Sequence, residues 1–189
     1  MARQVTRRTF LGAVGASAGA ALLSAYPVER ASAGQDSDQR NSRAVPRIVR
    51  QWAAAWNAHD PERMVTLFTN DGVYEDLAFE ARFQGKEGVA LWVLITNASI
   101  GDAKIEIVDA FQRGNRAAAM WTFSGTDIGA IAPHLPPTGK SFSLPVVSFF
   151  ELKSSLIRHV RDSYNLATLL RQLGLPADAY TPPGATPPA

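Results

Sequence analysis

The chain contains no cysteine, which excludes disulfides, thiolate metal sites and cysteine nucleophiles at once. Histidine is scarce. His59, His134 and His159 form no His-x-His or His-x-x-x-His pair, so spacing signals no metal site. Beyond the first 33 residues there is no run of lysine or arginine, the electrostatic footprint that a nucleic-acid partner requires. A glycine-rich phosphate loop and a serine-centred nucleophile elbow are also missing. No metal and no cofactor is therefore implied. A long apolar run is lacking too: the stretch Ala13 to Ala25 is interrupted by glycine and serine and falls short of the roughly 20 apolar residues of a membrane span.

The start of the chain has the three parts of an export signal. Arg3 and Thr6-Arg7-Arg8-Thr9-Phe10-Leu11-Gly12 supply a cationic opening, Ala13 to Ala25 a short apolar middle, and Ala31-Ser32-Ala33 a small-residue cleavage site. The paired arginines followed by Phe-Leu resemble a twin-arginine signal, so the twin-arginine export machinery is the expected partner. The expectation is an exported protein, periplasmic or extracellular, beginning near Gly34. Removing residues 1–33 also removes an apparent clue. The whole chain carries 19 basic and 17 acidic residues, a net +2; the signal holds four of the bases and one acid, leaving 15 against 16. Nothing in that balance calls for an acidic partner.

Residues 34–189 have the size of one domain with one core. Residues 34–43 are polar and 176–189 are rich in proline and alanine, so both read as flexible arms around an ordered domain at 44–175. Val45, Ile48, Val49, Trp52 and Trp56 fall on one helical stripe. Asp60-Pro61-Glu62 has the chemistry of a helix start, with Met64, Val65, Leu67 and Phe68 facing inward. Asn70-Asp71-Gly72 reads as a turn before extended structure at Val73, and Gly85 to Ala98 reads as a third helix with Val89, Trp92 and Val93 inward. The second half changes period. Strands are expected at 104–111, with Ile105, Ile107 and Phe111 on one face, and at 117–126, 141–152 and 156–164. Asn165 and Gly174 bracket a short final helix. Helices followed by strands predict an α+β domain, with three helices laid over one face of a curved, mostly antiparallel sheet. The strand at 141–152 is apolar on both sides: Phe142, Leu144, Val146 and Phe150 on one, Pro145, Val147 and Phe149 on the other. The second set predicts a homodimer formed through the outer sheet face.

This order of elements, together with several short motifs, resembles the SnoaL-like polyketide cyclases of the nuclear transport factor two-like superfamily. The motifs are Trp52-x-x-x-Trp56-Asn57 with Asp60, Phe68-x-x-Asp71, Gly125-Thr126, Pro136-Pro137-Thr138-Gly139-Lys140, Arg161-Asp162 and Leu169-Leu170-Arg171-Gln172-Leu173-Gly174. The likeness spans Val45 to Leu175. It implies a cone-shaped fold with an apolar pocket, and an aspartate on the last strand that takes a proton from carbon beside a carbonyl. Counting back from the closing leucine motif puts that aspartate at Asp162. Ser148 then stands where the family carries a histidine, Val160 replaces a second polar residue, and Ser154-Ser155 replaces an Asp-Gly turn.

At period two Asp162 shares its strand face with Leu156, Arg158, Val160 and Tyr164. Apolar surroundings would raise its pKa, whereas Arg158 would lower it or tie it into a structural ion pair. Either Ser148 or Tyr164 could donate to a developing oxyanion. Glu75 and Asp76 point to opposite faces, so at most one of the two can serve as a second pocket acid, the other being a solvated charge. Trp52, Trp56, Phe68, Tyr74, Trp92, Trp121, Phe150, Arg158 and Val160 complete the candidate ligand wall, suited to a small apolar or aromatic molecule. His134 could cover such a pocket as a mobile acid. Two functions stay open: a cofactor-free cyclase or isomerase, and a binding protein that retains the pocket without chemistry.

Overall fold

The computed structural model describes residues 45–129 and 136–180. The expected signal at 1–33, the arm at 34–43, His134 and the end of the tail lie outside the described residues. The first helix, α1 (Arg47–Asn57), buries the expected stripe of Ile48, Val49, Trp52 and Trp56, with Ala53 and Ala55 between them. Asp60 caps α2 (Pro61–Thr66) by accepting a hydrogen bond from the backbone N–H of Arg63 at 2.9 Å, with Pro61 at the first turn.

Extended structure starts earlier than the sequence suggested. Strand β1 runs from Phe68 to Asp76, so Asn70-Asp71-Gly72 is an irregularity inside it instead of a turn before it. Phe68 pairs with Ile157 and Val73 with His159, so the extra residues bulge out of the ladder. Gly72 suits this bend, because a Cβ there would stand 3.0 Å from both Phe68 and the Thr69 carbonyl oxygen. A short strand, β2 (Ala81–Gln84), folds back on β1 and leads into α3 (Gly85–Ser99).

The second half is a meander of β3 (Lys104–Arg113), β4 (Arg116–Thr126), β5 (Ser141–Lys153) and β6 (Leu156–Ser163), closed by α4 (Leu166–Leu173). The six strands make one sheet in the order β2-β1-β6-β5-β4-β3; β1 and β6 are parallel and every other pair is antiparallel. The buried side chains of α1, α3 and α4 form one core with those of the sheet face they cover, around Trp52, which meets Trp121 and Phe150 edge-on at 5.3 Å each. This is the expected α+β cone. Asn165 caps α4 through the N–H of Thr168, and Gly174 ends it in the left-handed conformation. Ser154 and Ser155 take φ of 52° and 68°, the positive values that a two-residue hairpin turn needs.

Bulges overturn two of the expected faces. The β3 ladder shifts register between Ile107 and Asp109, so Ala110 turns inward while Phe111 is 52% exposed instead of sharing the face of Ile105. The β5–β6 ladder shifts between Glu151 and Leu152, which leaves Ile157 buried and Arg158 exposed. A third correction concerns the tail. Its first residues, through Tyr180, are held against the domain, because the Tyr180 hydroxyl donates to the Phe79 carbonyl at 2.6 Å.

Candidate functional site

The parallel pairing of β1 and β6 sets Asp76 beside Asp162 and Tyr74 beside Val160. Tyr74 and Asp76 are two apart on a strand and so share the inner face. Ser148, on the inner face of β5, lies directly across from Asp162. The β5–β6 hairpin and the sequence-distant strand β1 thus bring two carboxyls and two hydroxyls together.

Asp162 is buried, and both of its oxygens are held. Oδ1 accepts from the Ser148 hydroxyl at 2.6 Å, and Oδ2 accepts from the Tyr74 hydroxyl at 2.7 Å. Each of those hydroxyl oxygens accepts an indole N–H in turn: Trp121 Nε1 reaches Ser148 at 2.8 Å and Trp56 Nε1 reaches Tyr74 at 3.2 Å. Burial pushes the Asp162 carboxyl up to about 7, against the two hydroxyl bonds, and the neighbouring Asp76 adds to the rise. A carboxylic acid half ionised near neutrality is matched to giving and taking protons.

Asp76 has a different setting. Its Oδ1 accepts the backbone N–H groups of Ala78 at 3.0 Å and Phe79 at 2.9 Å, and Oδ2 accepts the Tyr164 hydroxyl at 2.9 Å. Burial raises its carboxyl to about 6, with these bonds opposing. Burial and the adjacent carboxylates push the Tyr74 and Tyr164 hydroxyls well above their ordinary range, so both remain protonated donors.

These groups open into a cavity of about 150 Å³. Trp56, Tyr74, Asp76, Trp121 and Asp162 form its buried end, and Phe123, Ile100, Ile105 and Leu169 extend the wall. Trp92, Ile95, Thr96 and Ser99 contribute one stripe of α3. The partly exposed residues Phe79, Ala81, Ile95 and Tyr180 bound the outer side. No lysine, arginine or histidine is among the described lining residues, and among the described residues no group of three or more histidines or acids is placed to hold a metal ion.

Of the residues expected from sequence, Asp162, Tyr164, Asp76, Tyr74, Trp56, Trp92 and Trp121 meet in this cavity. Trp52, Phe68, Phe150 and Val160 do not line it; they are packed in the core behind. Arg158 is the unmatched residue of the β5–β6 bulge and lies exposed, off the face it was expected to share with Asp162. Ser148 does not line the cavity and donates to Asp162 from behind, so it positions the aspartate and is not placed to reach an oxyanion. Tyr164 serves Asp76, while the phenolic hydroxyl on Asp162 is that of Tyr74. Of the two adjacent acids at the end of β1, Asp76 faces the cavity; Glu75 lies on the other face, grouped with His159 at 2.9 Å and Arg161 at 3.3 Å. Sequence reading missed Ile95, Thr96 and Ser99, although their spacing with Trp92 was a usable helical stripe. Phe79 and Tyr180 carried no local signal, since both lie outside the regular elements.

Among known proteins, the SnoaL-like domain model matches residues 49–160. A Catenulispora acidiphila protein with a ketosteroid isomerase-like fold, solved in complex with trimethylamine, is 32% identical; the match covers 74% of this chain and 100% of that one, with a TM-score of 0.64. TsrD from Streptomyces laurentii is 25% identical over 74% of this chain and 96% of its own, with a TM-score of 0.59. A candidate polyketide cyclase from Pseudomonas putida is 26% identical over 66% and 94%, also at 0.59. No curated protein matches.

Proposed function

The chain belongs to the SnoaL-like domain family, and on that premise we propose that it catalyses proton transfer at carbon without a cofactor, on a small, uncharged, mostly apolar carbonyl compound. The observation that carries this reading is Asp162, a buried carboxyl brought to about 7 by burial and opening into an apolar cavity. In the step, the C–H bond beside the carbonyl breaks, its proton forms an O–H bond on Asp162, and the electron pair moves onto the carbonyl oxygen. Tyr164 donates to that oxygen, exchanging its bond to Asp76 for one to the enolate. Tyr74 and Ser148 keep the aspartate in one orientation, and Asp76 alongside is a second place to hold a proton. If the proton returns to a different carbon the compound is isomerised; if the enolate attacks a second carbonyl in the same molecule a ring closes. A cavity of about 150 Å³ is on the scale of a benzene-sized guest, which favours a monocyclic or short-chain substrate.

One observation favours a second reading, a binding protein for a small alkylammonium ion. The 32% identical relative was solved with trimethylamine, and in this chain the aromatic walls and two acids, with no basic residue among the described lining, suit a cation. Both readings are tested in heavy water by proton NMR. Catalysis predicts hydrogen–deuterium exchange beside the carbonyl of small ketones such as cyclohexanone, with a rate that rises with pH to a plateau above about 7, as Asp162 ionises. Saturable binding of trimethylammonium without exchange of any ketone would replace that reading with the second.

Export and self-association belong to the same proposal. The adjacent arginines near the start support export, to be tested by the mass of the exported product, expected to begin near Gly34. The outer sheet face supports a homodimer: Met120 and Phe149 are 45% and 54% exposed there, with Val147 half-buried between them. Light scattering at micromolar concentration should give the mass of two chains, and a monomer would count against it.

A further inference from the structure

The cavity is closed in part by a residue from beyond the last helix. After Gly174 the backbone N–H of Leu175 bonds back to Leu170, and a turn between Pro176 and Ala179 brings Tyr180 to the outer side of the pocket. Among the described residues, two contacts fasten its side chain. The hydroxyl donates to the Phe79 carbonyl at 2.6 Å, and the ring meets the Phe79 ring edge-on at a centroid distance of 4.8 Å. Phe79 is itself part of the site: its N–H donates to Asp76, and its ring packs at 6.3 Å against Tyr164, whose hydroxyl also donates to Asp76. The chain of contacts therefore runs from Tyr180 through Phe79 to the second carboxyl.

We propose that Tyr180 is the specificity-determining residue of this pocket, closing it over small ligands and setting the upper limit on their size. Pro176, Ala177 and Asp178 are largely open to solvent, and one hydrogen bond with one ring contact is a fastening that opens and recloses without unfolding the domain. With Tyr180 seated, the guest is limited to the closed cavity; with it released, the side bounded by Phe79 and Ala81 gains room for a longer molecule. The ring supplies the bulk that excludes and the hydroxyl supplies the latch, so the two contributions separate by substitution.

Closure does not depend on the proposed chemistry, and it is read first without any ligand. Trp56, Trp92 and Trp121 line the cavity, so acrylamide, a small neutral quencher, reports access to it through tryptophan fluorescence. Tyr180→Ala in the full chain should raise the quenching constant about twofold or more, because the closed population no longer dominates, and Tyr180→Phe should fall between the two. Melting temperatures should be nearly unchanged, and if Tyr180→Ala does not fold, the Tyr180→Phe result decides. Quenching that is the same in wild type and in the folded variants overturns the proposal. The size limit rests on the proton-transfer reading and is tested second, as the exchange rate of 2-decalone relative to cyclohexanone. That ratio should rise in Tyr180→Ala; an unchanged ratio overturns the specificity role. If no ketone exchanges in any variant, the proton-transfer reading fails, while the quenching experiment still decides whether Tyr180 closes the pocket.

Discussion

Replacing Asp162 by asparagine should reduce ketone exchange by about 10²- to 10⁴-fold, the usual contribution of a positioned base, and should also stabilise the protein above neutral pH. Asparagine has nearly the same shape and keeps an oxygen for one of the two hydroxyls from Ser148 and Tyr74. It cannot take a proton from carbon. At pH 8 the wild-type aspartate is ionised while buried, a state that burial disfavours. Asparagine removes that charge, so the melting temperature of Asp162→Asn should exceed that of wild type by several degrees at pH 8. At pH 5 the wild-type group is already protonated and the two should melt close together. A residue retained only for stability would behave in the opposite way, because its removal would lower the melting temperature at both pH values. Exchange at the wild-type rate in Asp162→Asn would show that another group is the base.

Wild-type stability should fall steeply as pH is raised from about 5 to about 8. Asp162 and Asp76 both start from the ordinary value of 3.8 in the unfolded chain and are raised to about 7 and about 6 in the folded one. Between those limits the native state holds protons that the unfolded state has released. The stability is therefore fully present below about 4 and is lost as pH passes upward through the folded-state values. The shifts correspond to about 4 kcal/mol for Asp162 and about 3 kcal/mol for Asp76, a large share of a typical domain's stability. His159 acts in the opposite sense: burial and nearby Arg161 lower its pKa, so it favours the folded state as pH rises. Its partial exposure keeps that contribution small. Urea midpoints at pH 5 and pH 8 give the comparison directly, and Asp162→Asn should lose more than half of the difference. A midpoint that is level or rises over this range would mean that the two carboxyls are not desolvated as described, and the case for Asp162 as a base near neutrality would go with it.

Local chemistry was enough to read most of the elements. Asp60 with Pro61, Asn165, Gly174 and the paired serines 154 and 155 act within a few residues of themselves, and each takes its expected place as a cap or turn. Alternation along β5 and the helical stripe of α1 likewise follow from period alone, and they carried the α+β architecture; the family resemblance singled out Asp162 on the last strand. The misassigned faces share one cause. Where a ladder shifts register, at Phe68–Val73, Ile107–Asp109 and Glu151–Leu152, one partner holds residues that the other does not match. Period-two counting then assigns the wrong face, as it did for Phe111 and Arg158. The site was legible as a set of residue types but not as a set of bonds. Asp162 receives its hydroxyls from residues 14 and 88 positions away, and Tyr180 reaches Phe79 across 101. Those partners are decided by the register of the β5–β6 hairpin, by β1 lying parallel to β6 in one register and by the path of the chain after α4. Such choices are made by the packing of the whole core, because no hydrogen bond or apolar contact between neighbours in sequence distinguishes one register from the next.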